Sequence, residues 1–393
     1  MVTLTNAENA LKTVYLGVVS NQLNTNINPL LGKIKQSTAD VWGKEVRKLA
    51  PYGLNGGIGA GTEDGDLPSA AANNYVQFVS SLKNLYGTIE ISDKAIRASA
   101  NNAGAFVNLL NAEMEGLVKA SSFNFGRMLY GNGSGIIATI SDSDDTTQTL
   151  TVDSVRNIME GMVIDIYAGS SAVAGLTGAR ITTIDRKLST VKIDKTFTLA
   201  EVTGTLTMSV QNSRGLELTG LGAIFDEDVT TLYGVDRTVQ AWMNPYSVDM
   251  TSATELSDIS IQTAIDYLDE VAGSTVDFIV CSAGVKRAYQ EYLNTYKRNV
   301  DIMNLEGGYK ALSYSGIPLV SDRFVPSGTL YLLNTKEFTL HQLCDWKWLE
   351  GEDGRVIKQN AGKATYTATL VKYADLICDK PSGQAMLYDI TEV

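Results

Sequence analysis

The segment 51-PYGLNGGIGAGTEDGDLPSAAANN-74, with the alternating stretch and long helical pattern that follow it, decides the fold. It is rich in glycine, alanine and acidic residues and has few apolar side chains from which a core could be built. Loops of this length are uncommon in compact domains unless they have a function. An extended arm suits a subunit that must reach a neighbour, so the segment favours assembly over catalysis.

The residues after the arm change to strand and then to helix periodicity. Strands are predicted at Tyr75 to Leu82 and Leu85 to Ser92, and one long helix from about Ala103 to Tyr130. GNGSG, residues 131–135, should end this helix because glycine and asparagine tolerate left-handed backbone. At 1.5 Å per residue, the helix would be about 40 Å long and could brace the subunit. Its predicted buried stripe is Val107, Leu110, Met114, Leu117, Ser121 and Met128.

The N-terminal residues predict a helix over 5–24. Thr5 and Glu8 have the spacing of a capping box, and Asn28-Pro29 breaks the pattern. A second, shorter segment around Ala39 to Leu49 leads into the arm.

Residues 140–212 differ from their surroundings. Short β-runs recur about every ten residues between turns rich in Asp, Gly and Ser, which predicts a small all-β module, barrel or sandwich. From about residue 213, helices and strands alternate again, so the module is interpreted as an insertion and the fold class as α+β with a largely antiparallel sheet. In this part, Ser257 is predicted to cap a helix carrying Ile261, Ala264, Ile265, Leu268 and Val271.

Composition narrows the class of function. The chain of 393 residues has a formal net charge of -12 and no Lys/Arg run longer than two, which argues against sequence-specific nucleic-acid recognition. Its three cysteines, Cys281, Cys344 and Cys378, form no C-x-x-C pair, so no disulfide framework is expected. No signal peptide is visible, and no apolar run reaches the roughly 18 residues of a membrane helix.

The order of elements resembles the major capsid protein of tailed bacteriophages, the Hong Kong phage capsid fold, which encapsulin nanocompartments share. The resemblance rests on the arm before a long helix ending in FNFGRMLYGNGSG, and on STVDFIVCSAGVKRAYQEYL followed by SYSGIPLVSDRFVPSGTLYLLN. It implies an N-terminal arm, an extended hairpin loop, a long spine helix, an axial domain and peripheral C-terminal strands. The implied divisions are 1–50 for the N-terminal arm, 51–92 for the extended loop, 93–139 for the spine helix, 140–212 for the inserted β module, 213–345 for a mostly axial part and 346–393 for strands returning to the peripheral domain.

The same resemblance implies that the extended loop contacts a neighbouring subunit. Glycines at 53, 56, 57, 59 and 61 are expected to let the loop lie flat on that neighbour and adopt positive φ. Acidic residues near the tip would meet basic side chains there. The candidate intersubunit residues are Gly56, Gly57, Gly59, Glu63, Asp64 and Asp66. Some relatives join subunits through a Lys and an Asn, but no lysine lies between Tyr52 and Leu82, so no crosslink at the loop tip is expected.

Catalytic and ligand-binding interpretations are weaker. The single histidine, His341, lies in the strand FTLHQL, where a structural role is more common than a triad. NGGIGAGTEDG lacks the third glycine of a dinucleotide fingerprint and the lysine of a P-loop. Asp142, Asp144 and Asp145 lack the later Glu of a calcium loop and are interpreted as a turn. No catalytic, cofactor or metal residues are therefore predicted.

The sequence predicts a structural subunit that forms pentamers and hexamers of an icosahedral shell around double-stranded DNA. Expected partners are further copies of the chain, a portal protein, separate scaffold or decoration proteins, and DNA contacted without sequence preference; no membrane is expected. The expected location is the virion capsid, assembled in the cytoplasm of a bacterial host. Two alternatives stay open: an encapsulin-type compartment, and a surface adhesion or carbohydrate-active protein. The last would use paired carboxylates such as Asp226, Glu227 and Asp228, which nothing in the sequence places in a cleft.

Overall fold

A computed structural model gives the architecture of the chain. It describes residues 28–94, 103–198, 204–251, 256–296, 302–304, 310–351, 354 and 356–393. The helix predicted over 5–24 lies outside these residues. None of the described helices has both the length and the apolar character that crossing a membrane requires.

Twenty-four strands are described. They are β1 (Lys35–Ser37), β2 (Val41–Trp42), β3 (Glu45–Tyr52), β4 (Asn74–Ser81), β5 (Lys83–Ser92), β6 (Ile136–Asp144), β7 (Thr149–Val152), β8 (Val163–Ala168), β9 (Ser171–Ala172), β10 (Ala179–Asp185), β11 (Thr190–Ile193), β12 (Leu206–Val210), β13 (Thr231–Leu232), β14 (Val235–Asp236), β15 (Tyr246–Asp249), β16 (Phe278–Cys281), β17 (Ile302–Asn304), β18 (Lys310–Tyr314), β19 (Ile317–Ser321), β20 (Leu330–Leu333), β21 (Phe338–Trp348), β22 (Lys358–Gln359), β23 (Thr365–Cys378) and β24 (Ala385–Tyr388). The segment from Ala39 to Leu49 thus supplies β2 and most of β3.

Four α-helices stand out among the described residues: α1 (Ala103–Tyr130), α2 (Leu221–Phe225), α3 (Asp258–Tyr267) and α4 (Ala283–Tyr296). The predicted long helix is confirmed with the predicted bounds. Short 3-10 turns occur at Ala241–Met243, Thr335–Glu337 and Pro381–Gly383, and a π-helical turn follows α3 at Leu268–Ala272.

Two large sheets form the body of the subunit. The peripheral sheet has the order β1-β21-β23-β22, with β5 paired to the first ten residues of β23. The axial sheet has the order β15-β24-β20-β16-β19-β18-β17 and is mixed, with the pairs β15–β24 and β16–β19 parallel. The remaining axial pairs are antiparallel, which agrees with the predicted α+β class.

Over the residues whose side chains are described, the spine helix α1 is amphipathic in its middle turns. Met114 and Val118 are buried while neighbouring residues are exposed, but from Ser121 to Tyr130 nearly every side chain is buried. The predicted stripe did not include most of these residues. A helical segment that is buried on all sides shows no 3.6-residue apolar period from which its burial could be predicted. Val107 and Leu110 of that stripe lie outside the residues whose side chains are described.

Contacts at its C-terminal end fix the spine helix in the subunit. The Arg127 guanidinium donates to Glu217 in a buried ion pair and to Asn124 Oδ1, at 2.7 Å from Nη2. A Cβ built on Gly126 would lie 2.6 Å from Cε2 of Phe324, so only glycine admits this ring. The helix is thereby joined both to the segment after the module and to the axial part.

The predicted β module is a closed six-stranded antiparallel barrel. Its strands follow the order β10-β11-β7-β6-β12-β8, and β8 pairs back to β10 through Ala179↔Ile164 and Arg180↔Val163. Its own core contains apolar side chains from all six strands, among them Ile166 and Met208. The first and last strands pair with each other, Ile136 opposite Ser209. The module therefore leaves and re-enters the subunit at one place, as expected of an insertion.

The axial helix α3 begins as predicted and ends differently. Ser257 Oγ accepts from Ser260 N, and Ser260 Oγ accepts from Ser257 N, which completes a capping box. Ile261, Ala264 and Leu268 are buried, but Val271 is 64% exposed. The sequence placed Val271 on the buried face by assuming 3.6 residues per turn. The wider π-helical turn changes the phase and turns this side chain outward.

Two strands pair with segments that are far from them in sequence. β21, which starts at Phe338, pairs with β1 and β23, and β24 lies between β15 and β20 in the axial sheet. The predicted divisions of the chain stay a prediction.

Candidate intersubunit surface

The arm is a long hairpin with a paired base and an unpaired tip. β3 and β4 pair in register from Glu45↔Ser81 to Tyr52↔Asn74. The tip, residues 53–73, contains no strand and turns at 63–65, where Gly65 N donates to Thr62 O at 3.2 Å. The two limbs of the tip are linked by Asn55 Nδ2 donating to Asn73 Oδ1 at 3.0 Å.

Aromatic residues hold the base of the arm against the body. Tyr52 stacks on Trp242 with ring centroids 5.1 Å apart, and Phe78 packs against Tyr233 and Trp242. The backbone continues this contact, because Val79 N donates to Tyr233 O at 2.8 Å. The base is therefore part of the hydrophobic core and has a defined direction.

Two carboxylates at the end of β23 add polar contacts to the same base. Buried Asp375 accepts from Ser80 Oγ in β4 and, at 2.8 Å, from the backbone N of Thr219. Burial raises the pKa of Asp375, although these hydrogen bonds oppose the shift. Asp379 Oδ2 forms an ion pair with Lys48 Nζ of β3 at 2.6 Å. The arm thus leaves the subunit from a fixed platform.

All six predicted contact residues lie on the tip, within one continuous segment. Five of them are exposed and Gly57 is partly buried. Their polar and flexible character fits an interface, but their role in one stays a prediction. The list of these residues is Gly56, Gly57, Gly59, Glu63, Asp64 and Asp66.

The expected backbone role of the glycines is wrong for all but one. Of the five tip glycines proposed for positive φ, only Gly53 adopts it, at 69°. Gly57 and Gly59 instead have a role within the arm itself. A Cβ on Gly57 would lie 3.2 Å from Ala71 N, and one on Gly59 would lie 3.1 Å from Pro68 Cγ. These glycines let the two limbs of the tip approach each other.

The sequence analysis did not identify three apolar side chains of the tip as candidates for an intersubunit contact. Leu54, Ile58 and Leu67 are 84%, 78% and 89% exposed, and Leu49 and Tyr75 on the base are exposed as well. Their irregular spacing matches neither a helix nor a strand period, so pattern analysis passes over them. The available signal was simpler: large aliphatic residues within a segment that cannot form a core. Water-exposed aliphatic groups on a projecting arm are typical of a surface that becomes covered.

The other sequence candidates have structural roles. His341 is fully buried in β21. Burial raises the pKa of Cys281 to about 12, so this thiol is an unreactive part of the core. Asp144 accepts from Thr146 N at 2.9 Å and from Thr147 Oγ1 at 2.7 Å, which is the geometry of a turn. Over the described residues no cluster of three or more His, Cys, Asp or Glu side chains suits a metal ion.

One candidate lies in a cleft after all. Asp226, Glu227 and Asp228 line an open cavity of about 280 Å³ together with Phe225, Met386 and Tyr388. Asp228 N donates to Asp226 Oδ1 at 3.0 Å, so the three residues also form the turn that the sequence suggested. The distance between this turn and β24 along the chain hid the cavity from sequence analysis.

Solved structures with the same architecture identify the fold. The capsid asymmetric unit of cyanophage A-1(L) matches with a TM-score of 0.56 at 14% identity, over 93% of each chain. The chain has the phage capsid fold. The predicted fold, with its arm, spine helix, axial part and inserted module, is thereby confirmed.

Further structures match this capsid fold at lower scores. The holo-SrpI encapsulin complex from Synechococcus elongatus PCC 7942 gives a TM-score of 0.46 at 11% identity over 95% of each chain. The capsid of Myoviridae phage XM1 gives 0.46 at 9% identity over 92% of each chain. No family model and no curated protein sequence matches the chain. The assignment of the capsid fold therefore rests on three-dimensional similarity to the cyanophage subunit.

Proposed function

We propose that this chain is the major capsid protein of a tailed bacteriophage, a structural subunit without enzymatic activity. In this proposal it assembles into the pentamers and hexamers of an icosahedral shell that encloses double-stranded DNA. The observation that carries the proposal is the match to a phage capsid subunit over 93% of both chains.

The arm supports assembly independently of the match. The base of the hairpin is fixed on its own subunit, whereas the described residues leave three aliphatic side chains of the tip exposed. Transfer of those side chains from water to a neighbour would be favourable in each of many identical contacts. Contacts between unlike surfaces of identical subunits close into rings when the rotation permits, which is what capsomers require.

The proposal includes the charge of the interface. The tip carries Glu63, Asp64 and Asp66 but no Lys or Arg, so the receiving surface should be basic as well as apolar. Single exposed ion pairs contribute at most about 1 kcal/mol, so their main effect would be on register and encounter rate.

Further partners belong to the proposal as expectations. They are a portal protein, separate scaffold or decoration proteins, and packaged DNA. With a formal net charge of -12, the inner wall should touch DNA weakly and without sequence preference. The particle would be assembled in the cytoplasm of the bacterial host, and the subunit would then reside in the virion capsid.

Expression of the chain alone, followed by negative-stain electron microscopy, tests the assembly. Closed particles or capsomer rings of uniform size are expected. A monomer at every concentration up to the solubility limit contradicts the proposal. Nuclease treatment and analysis of the particle contents from infected cells then separate a DNA-filled virus shell from a compartment loaded with a protein cargo.

Deletion of Gly56 to Asp66 tests the arm. The variant should fold, because the tip makes no described contact with the core, and it should fail to form closed particles. A second variant replaces the same residues by a Gly/Ser segment of equal length. It separates the loss of reach from the loss of side chains. Particle yield equal to that of the unaltered chain in both variants would remove the arm from the assembly mechanism.

A further inference from the structure

The only histidine of the chain occupies an unusual position in the peripheral sheet. His341 lies in the interior of β21, opposite Ser37 of β1 and Asp375 of β23, and its exposed fraction is 0%. Among the described residues, neither Nδ1 nor Nε2 has a hydrogen-bond partner. A buried imidazole normally has at least one partner, so this residue calls for a physical explanation.

Charged groups on the neighbouring elements act electrostatically on this imidazole. Lys35 comes from β1, Lys48 from β3, Asp40 from the turn between β1 and β2, and Asp379 from the residues after β23. Burial lowers the pKa of His341, Lys48 and Lys35 lower it further, and Asp40 and Asp379 oppose them. Asp375 is engaged by Ser80 and Thr219, so its carboxylate is committed elsewhere. The ring is therefore neutral at neutral pH.

These groups are also the ones that hold the arm. Lys48 belongs to β3 and binds Asp379, and β1, which pairs in parallel with β21, leads through β2 into β3. Asp379 Oδ1 is buried and has no hydrogen-bond partner of its own within the described structure. A positive charge on the imidazole would repel Lys48 and compete with it for Asp379. Both effects act on the base of the arm.

We propose that His341 is a proton-sensitive contact that loosens the base of the arm when the surroundings become acidic. The proton would add a charge to a buried ring that has no hydrogen-bond partner among the described residues and that two lysines of the same sign act upon. The folded arrangement in which the ring stays buried between β1 and β23 then becomes less favourable than one in which water enters. The proposal concerns the single folded chain, so it stands or fails separately from shell assembly.

The sign of the effect follows from linkage. A histidine whose pKa is lower in the closed state binds fewer protons there than in the open state, so closing is favoured at high pH and weakened as pH falls below about 6.5. Each unit of pKa difference between the two states changes the opening equilibrium by roughly tenfold.

Hydrogen–deuterium exchange followed by mass spectrometry measures this opening on the full chain. After correction for intrinsic exchange, amides of β1, β3 and β4 should lose protection, by up to about tenfold, between pH 7.5 and pH 5.5. The barrel strand β8 serves as an internal reference that should not change. His341→Gln removes the titrating group while keeping a polar side chain, and its arm protection should be the same at both pH values.

A second measurement needs no substitution. Because the chain has one histidine, exchange of its ring C2 hydrogen reports the pKa of His341 without ambiguity. A value below that of the urea-unfolded chain supports the proposal. The proposal is overturned by an equal or higher value, by arm protection that is independent of pH, or by pH-dependent protection that persists in His341→Gln. In the last case a group other than His341 is titrating, and it is not Asp375, because a carboxyl whose pKa is raised in the closed state favours closing as the pH falls.

Discussion

Replacing the exposed aliphatic residues of the arm should separate folding from assembly. In the triple variant Leu54→Ser, Ile58→Ser, Leu67→Ser, side chains that are 84%, 78% and 89% exposed lose their apolar groups. Since almost all of their surface already faces water, the stability of the isolated subunit should stay within about 0.5 kcal/mol of the original. The cost should appear only when the arm meets a neighbour.

The size of that cost follows from the exposed fractions. Full burial of one Leu or Ile side chain contributes about 1.5–3 kcal/mol, and its ordering costs about 0.5–1 kcal/mol. A net ~1 kcal/mol for each of the three side chains gives ~3 kcal/mol for each arm contact. At 1.4 kcal/mol per factor of ten, the subunit concentration at half-maximal assembly should rise about 100-fold or more.

Static light scattering across a dilution series measures this concentration, and urea denaturation of the dissociated subunit measures stability. Leu188→Ser is the matched control, since Leu188 is 66% exposed on a turn of the barrel, outside the arm. It should change neither quantity. Assembly of the triple variant at the original concentration, or an equal shift for Leu188→Ser, would refute the reasoning.

Three further outcomes are expected. Gly126→Ala should destabilise the subunit by about 1–3 kcal/mol, since its Cβ would lie 2.6 Å from a ring carbon of Phe324. Gly116→Ala, whose Cβ would meet no atom within 4 Å, should stabilise the subunit by up to about 1 kcal/mol. Urea denaturation compares the two variants. Arg127→Met should cost about 3–5 kcal/mol by leaving the buried carboxylate of Glu217 unpaired, and the double variant Arg127→Met, Glu217→Leu should recover part of this in the same assay. Cys281 should not react with a thiol reagent at pH 8 until the chain unfolds, because burial raises its pKa to about 12; rapid labelling of the folded chain would contradict this.

Local patterns were sufficient for the elements that have them. The bounds of α1 follow from a long helical run ended by GNGSG, and the cap of α3 follows from Ser257. The strands of the module follow from their turn spacing. In each case the physical cause lies within a few residues of its effect.

Features set by distant contacts could not be predicted in this way. The full burial of residues 121–130 depends on neighbours from 213–225 and from the axial part, and the return of β24 to the axial sheet depends on pairing with β15 and β20. The tip glycines illustrate the same limit. Their number suggested positive φ, which only Gly53 adopts, and close approach of the opposite limb explains Gly57 and Gly59; a sequence does not show which limb lies opposite.

Closure of the barrel has a consequence for crowding. Subunits in a shell would stand side by side at very high local density, where an open strand edge can recruit the same edge of the next molecule and lead to aggregates. In the barrel, β8 and β10 satisfy each other across the seam, so the described strands of the ring offer no such template. An insertion of this form adds volume to a crowded lattice without adding an unpaired strand edge. This is a physical reason for a closed barrel rather than an open sheet at this position.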